Sequence, residues 1–317
     1  MLFRSERPSA ATLIAPEGLS AVEALAVLRR ADPRGVYDYA HIYSPTGGAI
    51  ADVKKNPLSL PLMPGAAGIR VGMIDGGIGR GHPVFLGADL VARSFAGSGE
   101  GPGTMHGTAI ASLLIGRDAG FTGYLPGATL YTADVYGGAV DGGSADAIAR
   151  ALNWMAANNI PVTNVSLAGP HNALLAAAVK AYVSSGHVLV AAVGNDGPAA
   201  PPNYPASYQG VISVTSVDAN QRLQFDANRS TLATFAALGV NVRAATLPGG
   251  FSSVTGTSYA VPVVTARFAH QVKSPGAAAS KAALEKLLRA ARTTRTGTGK
   301  LVLLGAPAPE QSASAGR

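Results

Sequence analysis

From Gly68 onward the chain alternates short apolar runs with longer segments of helical periodicity, and that rhythm restricts the folds open to it. The apolar runs are "GIRVGMID", "ATLYTADV", "PVTNVSLAG", "HVLVAAVGN" and "GVISVTSV"; the helical segments are "HGTAIASLLIG", "SADAIARALNWMAANN" and "NALLAAAVKAYVSSG". Runs this uniformly apolar have no face to give to water, so they belong in a parallel sheet covered on both sides. Helices supply the cover: Ile148, Leu152 and Met155 fall on one face of the second helical segment. The fold class expected is α/β, a mostly parallel sheet with helices on both faces. With 47% hydrophobic and 14% charged residues, the 317-residue chain has the apolar material for a large core.

The expected organisation has four parts. Residues 1–43 read as a small strand-helix-strand segment, 44–67 as a Pro/Gly-rich linker, 68–305 as the main domain, and 306–317, "APAPEQSASAGR", as a disordered tail. A formal charge of +7 permits anionic partners. The basic residues are scattered, however, and the one dense stretch, "KAALEKLLRAARTTR", reads as an amphipathic helix, so nucleic acid is not an expected partner. The absence of cysteine excludes disulfides, thiol catalysis and Cys-type zinc sites. No apolar run is long enough for a membrane span. The first residues lack the apolar core of a signal peptide.

In an open parallel sheet, ligands bind beyond the carboxyl ends of the strands, so polar residues just after strands carry the functional expectation. Asp75 ends the first strand. The "GGIGRG" that follows resembles a dinucleotide fingerprint but fails on spacing, since counting from Gly77 the last glycine position is His82. His106 stands where a loop becomes a helix, beside Gly107; it is the one of six histidines with such surroundings. Asn195 follows the strand "HVLVAAV". Ser258 lies in "FSSVTGTSYAVPVV", at the start of a buried helix whose position Gly256 and Pro262 help to fix. Each alone has a structural explanation as a turn residue or helix cap. Together they run Asp, His, Ser in chain order, one of the three unrelated orders of a single catalytic geometry.

With "VGMIDGGIGRGHPVF", "HGTAIASLLIG", "NVSLAGP", "VAAVGNDGP", "YPAS" and "GTSYAVPVV" in that order, the stretch from about Gly68 to Gln271 resembles the subtilisin-like (S8) serine peptidases. The resemblance implies a three-layer subtilisin-like fold and a serine endopeptidase acting through an acyl-enzyme. A serine hydroxyl is a poor nucleophile that needs a base, and the base needs a third group to orient it. Ser258 is then the nucleophile, His106 the general acid and base, Asp75 its orienting partner, and Asn195 with the Ser258 amide the oxyanion donors. An extended peptide or protein substrate is expected along Ser166, Leu167, Ala168 and Gly169, with Ala192 and Gly194 leaving room for a sizeable apolar side chain in the first pocket. No cofactor is called for, and the short stretch between Asp75 and His106 gives no support for the calcium loops of some relatives. The N-terminal segment resembles the later half of a pro-segment. A monomer, secreted or periplasmic, is the expectation from the family.

Three positions depart from the family's pattern: Gly76 where a hydroxyl residue is usual after the acid, Ile110 where a second His or similar residue follows "HGT", and Ala168 where Gly is typical. Two other readings keep the same residues: a catalytically silent relative that only binds peptide, and an esterase or peptide-joining enzyme using the same acyl-enzyme. An α/β-hydrolase does not fit, because Ser258 is not in G-x-S-x-G.

Overall fold

The computed structural model describes residues 13–47, 65–97, 101–138, 142–293 and 300–301. The remainder of the N-terminal segment, most of the linker and the whole 306–317 tail lie outside the described residues.

Two elements come first, helix α1 (Ala21–Ala31) and strand β1 (Ile42–Pro45). Ser20 and Glu23 close a capping box at the start of α1, each side chain satisfying the other's backbone amide. The strand expected ahead of this helix is not formed by the described residues. Leu13 and Ile14 are exposed and unpaired, and Pro16 has no amide to offer a ladder.

The body alternates strands and helices: β2 (Arg70–Asp75), β3 (Leu90–Ser94), α2 (Met105–Ile115), β4 (Thr129–Asp134), β5 (Gly143–Ser144), α3 (Ala145–Ala157), β6 (Val162–Val165), β7 (Leu167–Ala168), α4 (Ala173–Ser184), β8 (Val188–Ala192), β9 (Ile212–Val217) and β10 (Phe235–Leu238). Strands β3, β5 and β10 lie outside the apolar runs read from the sequence, and the run "PVTNVSLAG" divides into β6 and β7. An antiparallel ribbon, β11 (Val242–Ala245) with β12 (Phe251–Val254), leads into α5 (Thr257–Ala269) and α6 (Ala277–Ala290). The short strands β13 (Arg292–Thr293) and β14 (Lys300–Leu301) complete one edge of a nine-stranded sheet ordered β13-β14-β10-β9-β8-β6-β2-β4-β3. All of its pairings are parallel except β13 with β14.

The sheet divides the interior into two cores, as the twofold period of a strand requires. Along β8, Val188, Val190 and Ala192 face one core while Leu189 and Ala191 face the other. Helices α2 and α5 cover the first face, with Leu113, Val264 and Phe268 in its core; α3 and α4 cover the second, with Ile148, Leu152, Leu175 and Val179. The basic stretch expected as an amphipathic helix forms α6, which buries Ala283 and Leu287 and leaves Lys281, Lys286 and Arg289 exposed. No helix among the described residues is long and apolar enough to cross a membrane.

Helix α5 is buried along nearly all its length, which places an unusual demand on its polar groups. Pro262 lies beyond the first turn and has no amide to donate to the carbonyl four residues earlier, that of Ser258. The Ser166 hydroxyl takes over, donating to the Ser258 carbonyl at 3.1 Å. Asn164 donates to the same Ser166 oxygen at 2.9 Å and accepts from Thr265 at 3.2 Å, so the end of β6 is stitched to α5 by a buried polar chain.

Ser166 and Pro262 should therefore compensate for one another. Ser166→Ala leaves the buried Ser258 carbonyl without a donor and should cost about 1–3 kcal/mol. Pro262→Ala restores a backbone donor to that carbonyl, so it should stabilise the Ser166→Ala protein more than it stabilises the parent. Urea denaturation of the two single variants and the double variant measures the coupling; additive effects would contradict the account.

Candidate active site

The residues singled out from the sequence meet at the carboxyl ends of the central parallel strands. Asp75, the last residue of β2, is fully buried. Its Oδ1 accepts from the Gly76 amide at 2.8 Å and from His106 Nδ1 at 2.9 Å. A carboxylate only accepts, so Nδ1 of His106 carries the proton and a neutral ring keeps its lone pair on Nε2.

His106 is the second residue of α2, whose N-cap Thr104 accepts from the Gly107 amide at 3.0 Å. Gly107 is needed because a side chain there would run into the Gly76 and Gly77 carbonyls and push the helix start away from Asp75. The departure at Gly76 has a similar cause: a Cβ there would meet the methyl of Thr104 at 2.7 Å. Ile110, the second departure, is fully buried in the core beneath α2.

Ser258 is the second residue of α5 and is fully buried. Its hydroxyl donates to the Ser166 carbonyl at 3.0 Å and stands 2.5 Å from Oγ1 of Thr46. It does not bond His106, whose Nε2 has no hydrogen-bond partner among the described residues. The expected serine-histidine bond is therefore absent in this arrangement, with the Ser258 hydroxyl turned to the Ser166 carbonyl instead. The Tyr259 ring packs against that of His106 at 5.7 Å between centroids. Burial, then the nearby Asp75 carboxylate, raises the Tyr259 phenol well above its ordinary pKa, so it stays protonated.

The Thr46 carbonyl oxygen accepts from the Ser258 amide at 3.2 Å and from Nδ2 of Asn195. Asn195 follows β8 by way of Gly194, whose φ of +99° suits glycine. Oδ1 of Asn195 receives the Thr257 amide at 3.1 Å, which turns Nδ2 toward Thr46. Gly256 leaves room for this carbonyl, since a Cβ there would meet the Thr46 oxygen and the Gly47 Cα at 2.7 Å.

Thr46 arrives there on β1, which runs antiparallel between β5 and β7 as the middle strand of a small sheet. Ser44 pairs with Ala168 and Pro45 with Leu167, and the Thr46 amide donates to the Ser166 carbonyl at 3.2 Å. Gly169 lies under the ring of Tyr43, whose hydroxyl donates to the Pro170 carbonyl at 2.6 Å. Ala192 is wholly buried in the first core. Residues 44–46, read from the sequence as the start of a linker, thus occupy the groove formed by the edge residues Ser166 to Gly169.

The pattern of the Subtilase family, peptidase S8, matches residues 66–306. The chain belongs to that family. Subtilisin E of Bacillus subtilis (strain 168) is 36% identical over 210 residues, covering 62% of this subtilase and 53% of that protein. M-protease of Shouchella clausii (strain KSM-K16) is 34% identical over 248 residues, 75% of this chain and 62% of its own. The chain therefore spans about half the length of Subtilisin E. Among solved structures, the prenylagaramide maturation protease PagA is 26% identical, with a TM-score of 0.61 over 72% of this chain and 84% of that one. The patellamide maturation protease PatA, 24% identical, shares the fold with a TM-score of 0.66 over 75% of this chain and 95% of that one.

Three features of this subtilase's site had no sequence signal of their own: the seating of Thr46, the bond from the Ser166 hydroxyl to the Ser258 carbonyl, and a contact of Gln224 with Asn195. No cluster of three or more His, Asp or Glu side chains suited to a metal ion occurs among the described residues.

Proposed function

We propose that the chain is a serine endopeptidase that cuts its own N-terminal segment between Thr46 and Gly47 and then acts on other extended peptides. The observation that carries this reading is the Thr46 carbonyl, held by the Ser258 amide and the Asn195 side chain beside the Ser258 hydroxyl. A carbonyl polarised by two donors next to a hydroxyl is poised for attack.

In this mechanism the Ser258 hydroxyl turns from the Ser166 carbonyl to Nε2 of His106, which takes its proton as Oγ adds to the Thr46 carbonyl carbon. Asp75 keeps the imidazole in the required tautomer and stabilises the imidazolium. The negative charge that develops on the Thr46 oxygen is met by the Ser258 amide and Nδ2 of Asn195. His106 then protonates the Gly47 nitrogen, the peptide bond breaks, and an ester links Thr46 to Ser258. Water, deprotonated by His106, hydrolyses that ester and frees the Thr46 carboxylate.

Gly47 suits the position after the cut, because a side chain there would run into the Tyr259 ring and hydroxyl at 2.7–2.9 Å. Substrates supplied from outside would pair as β1 does, between β5 and β7. The likeness to PagA, described as a maturation protease, supports a peptide-processing role.

Purified wild-type chain should convert on incubation to a form whose first residue is Gly47, read by intact mass and N-terminal sequencing. Ser258→Ala should keep its full length. A wild-type chain that stays intact and cleaves no peptide would overturn the proposal in favour of a silent peptide-binding relative.

Asn195→Ala should lower kcat on a peptide by about 10²- to 10³-fold, the scale for losing one oxyanion donor, with KM little changed. An effect on KM alone would make Asn195 a substrate contact.

A further inference from the structure

Gln224 lies in the polar run "DANQRLQFDANRS" after β9, and its side chain is buried although its neighbours Phe225 and Asp226 are exposed. All of its amide capacity toward the site is committed. Nε2 donates to Asn195 Oδ1 at 3.1 Å and to Asp226 Oδ1 at 2.7 Å, while Oε1 accepts from the Ser216 hydroxyl. The backbone of Gln224 is tied to the same strand, its amide donating to the Ser216 carbonyl at 3.0 Å.

These contacts define which way the amide faces. The Asp226 carboxylate can only accept, so the side of Gln224 turned toward it must be the NH₂ group. That same group reaches Asn195, which must therefore present its oxygen. Asn195 Oδ1 thus sits in a fork of two donors, the Gln224 side chain and the Thr257 amide at 3.1 Å. A half-turn of Asn195 about its Cβ–Cγ bond would set its NH₂ group against both donors, leaving buried polar groups unpaired. The fork also polarises the amide, strengthening Nδ2 as a donor toward the Thr46 carbonyl.

We propose that Gln224 is a positioning residue: through its bond to Asn195 Oδ1 it holds the Asn195 amide with its donor facing the reacting carbonyl. The inference rests on the oxyanion role assigned to Asn195 above. Gln224 itself touches neither the Thr46 carbonyl nor any other reacting atom.

The test uses Gln224→Met, which keeps length without hydrogen bonds, and Gln224→Glu, which keeps shape but places an acceptor against Asn195 Oδ1. Each is measured alone and with Asn195→Ala, on a synthetic peptide spanning residues 40–50 of the chain. Thermal melting establishes that each variant is folded, and Gln224→Glu carries the test if the methionine variant does not fold. The expected result is a kcat lowered by roughly 3- to 10-fold at unchanged KM, the scale of one lost hydrogen bond. That loss should vanish in the Asn195→Ala background. Equal losses in both backgrounds, or a wild-type kcat in both Gln224 variants, would overturn the positioning role. Failure of the underlying reading gives a different pattern, with Asn195→Ala itself leaving kcat unchanged or the peptide uncut by the parent chain.

Discussion

The geometry of the site depends on one substitution of hydrogen-bond partners inside a buried helix. Pro262 removes the amide that would have closed the turn over Ser258, and the Ser166 hydroxyl replaces it. That exchange ties the start of α5 to the end of β6, where the Ser166 carbonyl also receives the Thr46 amide and the Ser258 hydroxyl. A single residue on a strand end therefore contacts both the helix that carries Ser258 and the backbone that lies across it. A helix capped by its own side chains would have no such link to the groove.

The seating of β1 follows from the same edge. Antiparallel pairing on both sides satisfies its backbone, and the tether to the body makes that pairing intramolecular. Contacts further back in the segment reinforce it. Asp38 accepts from the Ala173 amide at 2.7 Å at the start of α4, where a helix favours negative charge, and Asn172 donates to the Tyr39 carbonyl at 2.9 Å. A strand held this firmly resists release, so under the proposed function cleavage would leave a fragment that competes with other substrates for the groove.

Much of this was legible in the sequence because it rests on local pattern. The apolar runs gave β2, β4, β6, β8 and β9 but not β3 or β10, the helical periodicity gave α2 to α4, and polar residues at strand ends and helix starts singled out Asp75, His106, Asn195 and Ser258. What escaped depends on contacts between residues far apart in the chain. Gln224 sits in a run of polar residues with nothing to separate it from its neighbours, and its importance lies in a bond to Asn195 across the fold. Thr46 fell inside the Pro/Gly-rich stretch 44–67 read as a linker, with nothing to single it out. Pro262 pointed to a helix start close to Ser258, and α5 does begin at Thr257; what the sequence did not show is that Ser166 supplies the donor Pro262 lacks. The strand expected before α1 failed because an apolar stretch with no partner sheet has nothing to bury against.

Under the proposed function, Ser258 is an activated nucleophile whose approach is governed by the Thr46 segment. Labelling with phenylmethylsulfonyl fluoride, mapped by peptide mass spectrometry during incubation, tests it most directly. A sulfonyl adduct is expected on Ser258, appearing in chains that begin at Gly47 and absent from chains that still carry the intact segment. No adduct on Ser258 after the segment has gone, or an adduct only at another hydroxyl, would contradict it.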